Sequence, residues 1–487
     1  MKKKINIIWE KYHSMPVAAK AVIWFVACTL LQKCIAFITV PIFTRLMPTK
    51  EYGLYSTYLS WYSIITVFCT LNMHNCIYVN EYTKADTQKE KDFAAIPLLS
   101  LSVVITMIIF VVYLIFHGWL DKFIGMPFAL TCLLFAQILF EPPVSFWSMQ
   151  QRFEYKYVIL VIRTIVMVIL NAVLGIFFVT IAAQNEAIYR ACSIVLVQII
   201  FGGYFYLYFI KRANKVFSMH EWGHALKVQL PLLPHSLSLT LLSSADRIMI
   251  TNMVSAEKSG IYSVAYSAGY VINILKSSIV DALRPWMYEK IKIKDYVSLK
   301  KTVNILMIFI TLVTVAFTAL APEIIYIMAP KEYHEAIYVI PPIAASSFFT
   351  FLYQMFAVFG MYYEKTGKIM WASISGAALN LILNAICIPL FGYIAAAYTT
   401  LVCYMFFSFA HYIIMKKICK NEEIHEEVYD TKFIMMMSVI VIFESIGFTF
   451  VYTSDILRYI IIAVTMLIFI WKRKVFTENL KVMKKKK

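Results

Sequence analysis

Polar stretches long enough to fold as a soluble domain are missing from this sequence. Only 15% of its 487 residues are charged against 61% hydrophobic, and that shortage excludes water as the main solvent. Acids are scarcer still, 28 against 45 Lys and Arg, for a net charge of +17. The bases sit in short loops between apolar runs and at the termini, which points to a membrane and away from nucleic acid. The nine cysteines form no C-x-x-C pair. Cys28, Cys34, Cys132 and Cys387 fall in apolar runs as small core residues, and neither metal nor cofactor is expected. No G-x-x-x-x-G-K occurs, since six residues separate Gly360 from Gly367-Lys368, which argues against an ATP-driven pump. The apolar run Ala19–Phe43, after Met1-Lys2-Lys3-Lys4, is too long for a signal-peptide core and lacks a small-residue cleavage site, so it is expected to remain as a helix.

What is present is an all-α polytopic membrane pattern. With about twenty apolar residues per span, helices are predicted at 19–43, 55–78, 94–115, 128–148, 158–181, 188–210, 230–252, 261–283, 303–328, 337–363, 369–391, 393–415, 433–453 and 456–472. If both termini are cytoplasmic, alternate segments hold about 34 basic residues and the external loops about 7. A missed or extra span would invert that alternation downstream. The external loops, about ten residues or fewer, carry no paired carboxylates or metal-ligand spacing. A membrane-embedded glycosyltransferase or polymerase is therefore the weaker reading, and no catalytic residue is expected.

The loops Lys211–Lys227, Arg284–Lys301 and Lys416–Lys432 suggest a six-helix lobe over 1–215, a second over 216–418, and two further helices with a basic tail over 419–487. Gly53-Leu54-Tyr55-Ser56 and Gly260-Ile261-Tyr262-Ser263 open the second and eighth spans. Six helices separate these phrases. An even number preserves orientation, so the lobes are expected to be parallel repeats with a substrate site between them near the midplane. The C-terminal Lys484–Lys487 is expected at the anionic inner leaflet.

Four bases fall five or more residues inside spans: Lys33, Arg163, Arg247 and Lys276. Facing lipid, they would cost roughly 10 to 14 kcal/mol together, so they are expected to line a wet, cationic cavity or find partners. Such a cavity suits an anionic headgroup, because charge pairing offsets lost hydration. Ser236, Thr240 and Ser243 share a face with Arg247, and Ser263, Ser267, Tyr270, Asn273 and Ser277 form a second stripe leading to Asp281; Asn380 and Asn384 share a third face. These are candidate path-lining groups. The alternative for each hydroxyl is a bond to its own backbone or to a neighbouring helix. Asp246, Asp281 and Glu141 are candidate coupling acids, with Glu444 a weaker one, and Asp246–Arg247 is alternatively a local ion pair. Pro231 and Pro234 are expected to kink the seventh span.

Arg45-Leu46-Met47-Pro48 with Glu51-Tyr52-Gly53-Leu54-Tyr55, Ala245-Asp246-Arg247 with Gly260-Ile261-Tyr262, Pro285, and Asn380 and Asn384 leading to Pro389, Phe391-Gly392 and Ala395-Ala396-Ala397 carry a resemblance. In order and spacing these phrases resemble the Wzx-like O-antigen and capsule repeat-unit flippases of the multidrug/oligosaccharidyl-lipid/polysaccharide (MOP) superfamily. The resemblance implies a two-lobed bundle, like that of the multidrug exporters called MATE, that moves a polyprenyl-pyrophosphate-linked oligosaccharide between leaflets of a bacterial inner membrane. It also implies partners such as the lipid bilayer, a polysaccharide polymerase and chain-length machinery. Within the superfamily, a drug-cation exporter would want acids in its cavity, where these charges lean basic; a flippase for lipid-linked peptidoglycan precursor stays open.

Overall fold

The protein is described by a computed structural model covering residues 14–212 and 216–484. The N-terminal lysines and Lys485–Lys487 lie outside the described residues. Within them the chain forms fourteen long helices: α1 (Val17–Leu46), α2 (Thr49–Thr70), α3 (Gln88–Ile124), α4 (Phe128–Phe153), α5 (Tyr157–Ile181), α6 (Glu186–Ile210), α7 (Leu233–Met253), α8 (Ala256–Lys292), α9 (Tyr296–Ala319), α10 (Ile340–Tyr362), α11 (Thr366–Phe391), α12 (Ala395–Asn421), α13 (Thr431–Val451) and α14 (Asp455–Lys484). They correspond one to one with the predicted spans, and the chain is an all-α multi-pass membrane protein. Ten of them are long and apolar enough by themselves to cross a membrane. Of the rest, α2, α7 and α8 are interrupted by hydroxyl, aromatic or charged residues, and such helices survive in a bilayer only where protein or water covers their polar face.

Boundaries differ where local chemistry overrides hydropathy. The predicted span 55–78 stops at Thr70, because Leu71 and Asn72 are left-handed and lead to a separate helix at Ile77–Lys84. The span predicted at 303–328 breaks at Leu320, before Pro322 starts a short helix, Ala321–Met328. Pro231 sits in a 3-10 turn, Leu230–Leu232, separating the helix Met219–Gln229 from α7, so the expected kink is a break. In the other direction, α3 and α8 each run for 37 residues. Backbone hydrogen bonding continues past the apolar stretch, and at α3 a Thr87/Glu90 capping box starts it and left-handed Gly125 ends it.

The chain divides into two compact units, Met1–Leu237 and Ser238–Lys487, with the division inside α7. In the first, α4 packs against α6, α5 against α6 and α1 against α5. Its core gathers Tyr78, Leu99, Phe146, Trp147 and Phe205. In the second, α10 is buried almost throughout, held by α12, α8, α13 and α9. Several packings recur with an offset of six helices: α4–α6 with α10–α12, α5–α6 with α11–α12, and α2–α3 with α8–α9. The paired sequence phrases also fold alike, since Ser56 and Ser263 both donate to the carbonyl four residues back, of Tyr52 and Ser259. The pair α13 and α14 belongs to the second unit, where α14 packs on α9.

Candidate functional site

In the second unit, Asp246 of α7 is 2% exposed, and its carboxylate is met from three helices. Tyr262 of α8 donates to Oδ2 at 2.7 Å, Thr400 of α12 to Oδ2 at 2.8 Å, and Asn384 of α11 to Oδ1 at 2.7 Å. A second layer orients these donors. Thr399 donates to Asn384 Oδ1, Asn384 also reaches Asn380 Oδ1 at 3.4 Å, and Asn380 donates to Thr400 at 3.3 Å. Asn380 and Asn384 are fully buried, because four-residue spacing puts both on the face of α11 that packs on α12. These donors solvate a carboxylate that could not otherwise remain charged at such burial, and the positive charge of the adjacent Arg247 also acts on it.

Arg247 lies beside this cluster, its guanidinium 4.2 Å from the centre of the Tyr266 ring, while its carbonyl accepts from Thr251 and Ser259. Lys276 of α8 is 4% exposed and donates to Asn273 Oδ1 at 2.8 Å and Thr350 at 2.5 Å. Asp281, to which the α8 stripe was expected to lead, stands apart from Lys276. Asp281 is exposed and pairs with Arg284 at 3.4 Å, since five residues turn it about 140° round the helix from Lys276. Ser277, Ser236 and Thr240 are half-buried, and Ser243 donates to the Thr240 carbonyl at 3.0 Å, the backbone alternative for that hydroxyl.

The first unit holds Lys33, half-buried on α1, and Arg163 on α5. Arg163 donates to the Val144 carbonyl at 3.2 Å and to Ser148, and lies over Trp147 and Phe205. It fastens α5 to α4 and borders a cavity of about 630 Å³ with Lys156 and Tyr204. Glu141 accepts from Ser145 through Oε1, and the adjacent Pro142 and Pro143 are accommodated inside α4.

Sequence reasoning missed Arg190. It is 7% exposed on α6, donates to Asn171 Oδ1 at 2.8 Å and Ser193 at 2.9 Å, and faces Phe43 and Tyr55. It lies only two residues inside the predicted span 188–210 and so was not counted among the bases deep within spans. The signal was Glu51, whose carboxylate accepts from the Ala187 amide at 3.1 Å and caps α6 one turn ahead of Arg190.

A family model described as polysaccharide biosynthesis protein matches residues 18–290. A search of curated proteins finds no match. Among solved structures, the lipid II flippase MurJ in an inward closed conformation is similar at a TM-score of 0.69 and 13% identity, over 94% of this chain and 99% of that one. An inward-facing multidrug resistance MATE family transporter of the MOP superfamily is similar at 0.57 and 12% identity, over 83% and 100%. An outward-facing form gives 0.52 and 14%, over 84% and 97%. At these identities the likeness is one of fold.

Proposed function

The chain belongs to the polysaccharide biosynthesis protein family, and from that premise we propose that it is a flippase. It carries a polyprenyl-pyrophosphate-linked oligosaccharide repeat unit, of O-antigen, capsule or another surface polysaccharide, from the inner to the outer leaflet by alternating access. The membrane in this reading is the bacterial cytoplasmic membrane, with both termini inside. The observation that carries it is the family match over more than half of the chain. The fold agrees with it. The lipid II flippase leaves 6% of this chain uncovered and the inward-facing multidrug transporter leaves 17%.

In this reading Lys33, Arg163, Arg247 and Lys276 lend positive potential to the passage of the diphosphate, and Ser236, Thr240, Ser243, Asn273 and Ser277 hydrate the sugar path. Asp246 is the coupling carboxylate. Its ring of donors joins α7, α8, α11 and α12, so gain or loss of a monovalent cation there changes how four helices are tied together.

Mass spectrometry of lipid-linked oligosaccharides in depleted cells, with a leaflet-accessibility probe, tests the function. A pyrophosphate-linked repeat unit should accumulate on the cytoplasmic face. Its absence, together with new sensitivity to cationic drugs, would favour the exporter instead.

A further inference from the structure

A second carboxylate within a span, that of half-buried Glu444 on α13, is far less well satisfied than Asp246. Glu444 lies within an apolar span, and its Oε2 receives a single hydrogen bond, from Thr314 of α9 at 3.4 Å. That hydroxyl is largely committed elsewhere, because it also donates to the Thr311 carbonyl at 2.8 Å. Glu444 Oε1 is closed off from solvent and has no hydrogen-bond partner among the described residues.

The surroundings are rich in oxygen and poor in charge. Thr311, Thr314 and Thr318 follow i, i+3, i+7 spacing and share one face of α9, the helix against which α13 packs, and Thr318 stands beside the carboxylate. Among the described residues neither buried hydroxyl, of Thr311 or of Thr318, makes the bond to its own turn that a helical threonine ordinarily makes, and that of Thr318 is the one turned to the carboxylate. Tyr452, just past the end of α13, lies nearby but donates to the Thr318 carbonyl at 2.8 Å. Tyr398 of α12 points to the Ser445 carbonyl at 3.5 Å. The nearby base, Arg458 of α14, is spent on Glu323 and on Asp455 at 2.9 Å. α10, which also packs on α13, carries no Asp, Glu, Lys, Arg or His between Ile340 and Tyr362.

We propose that Glu444, with Thr314 and Thr318, forms a binding site for one small monovalent cation, a sodium ion or a proton, between α9 and α13. The donor set is all oxygen, which suits a hard cation. Its single negative charge is cancelled by one positive charge, whereas a divalent ion would leave an excess in the low-dielectric span and a water would leave the carboxylate charged. The site is separate from the Asp246 cluster, which lies on α7, α8, α11 and α12. Cation occupancy would tie α13 to α9.

The full-length protein in detergent tests this. Melting is followed against sodium chloride, with choline chloride holding the ionic strength, and the carboxylic acid C=O infrared band is followed against pH. Both are done in the Asp246→Asn background, so that neither response comes from the Asp246 cluster. If the ligand is sodium, the salt raises the melting temperature, Glu444→Gln abolishes the rise, and Thr318→Val increases the half-saturating sodium about tenfold or more. If it is a proton, sodium does nothing, and a protonated-carboxyl band that disappears as pH rises is lost in Glu444→Gln and shifted in Thr318→Val. Sodium and pH responses unchanged by Glu444→Gln, or by Thr318→Val should the first variant fail to fold, would overturn the proposal, as would a carboxyl band that never titrates without any sodium response.

Discussion

Asn384 of α11 places its amide nitrogen 2.7 Å from Oδ1 of Asp246 on α7, joining residues 138 positions apart. Removing that donor by Asn384→Ala leaves a buried carboxylate with one fewer hydrogen bond, a loss of about 1.5 to 3 kcal/mol. Detergent-solubilised Asn384→Ala should therefore melt below wild type. Asp246→Asn keeps the shape but removes the charge and turns one accepting oxygen into an NH2, so it should reach the membrane and melt somewhat below wild type while transport collapses. Transport at the wild-type rate in Asp246→Asn would remove Asp246 from the coupling role.

Lys276 is buried, and its hydrogen-bond partners among the described residues, Asn273 and Thr350, are neutral. A buried charge held by dipoles gives little net stability, and a hydrophobic side chain of similar volume often serves as well or better. Lys276→Met should thus melt no lower than wild type, yet flip its substrate at least about tenfold more slowly if the charge attracts the diphosphate. A variant that melts earlier but transports normally would mark Lys276 as structural.

Gly202 on α6 lies so close to α4 that an added Cβ would fall 2.1 Å from the Phe140 carbonyl oxygen, whereas one on Gly203 would meet only Phe140 ring carbon at 4.0 Å. Small residues allow such close approach between membrane helices. Gly202→Ala should separate α4 from α6 and cost about 1 to 3 kcal/mol, read as a lower melting temperature and reduced yield. Gly203→Ala should behave as wild type.

In the loop before α13, Lys300 donates to Glu427 at 2.9 Å, and this bond, followed by the Thr431 amide, holds the Glu427 carboxyl down at about 2. A carboxyl depressed by folding contributes stability above its unfolded pKa and loses it as pH falls through the folded one. The contribution should therefore fade between about pH 4.5 and 2. Melting temperature measured across that window should fall less steeply in Glu427→Gln than in wild type. Because the pair is exposed, the difference should be small and should shrink in high salt.

Helix number and order were legible because bilayer thickness sets the length of an apolar run, and because the basic residues alternate from loop to loop. Asn380 and Asn384 were legible as a shared face for the same kind of reason, a helical period. Helix ends were less so. Leu71, Leu320 and the turn at Leu230–Leu232 break helices inside apolar stretches, where hydropathy is blind to backbone geometry. Arg190 was hidden because its burial comes from α1, α2 and α5 closing over it.

Solvent and helical period act on neighbours along the chain, so the sequence alone was enough to read an all-α multi-pass membrane protein with charged and hydroxyl residues inside its long helices. Tertiary structure alone decided which of those groups meet. Asp246 finds Thr400 across 154 positions, Asp281 turns away to Arg284, and Glu444 is left facing the threonines of α9 with one oxygen unpartnered. Hydrogen bonds of under about 3 Å depend on how helices pack, and no local pattern encodes that.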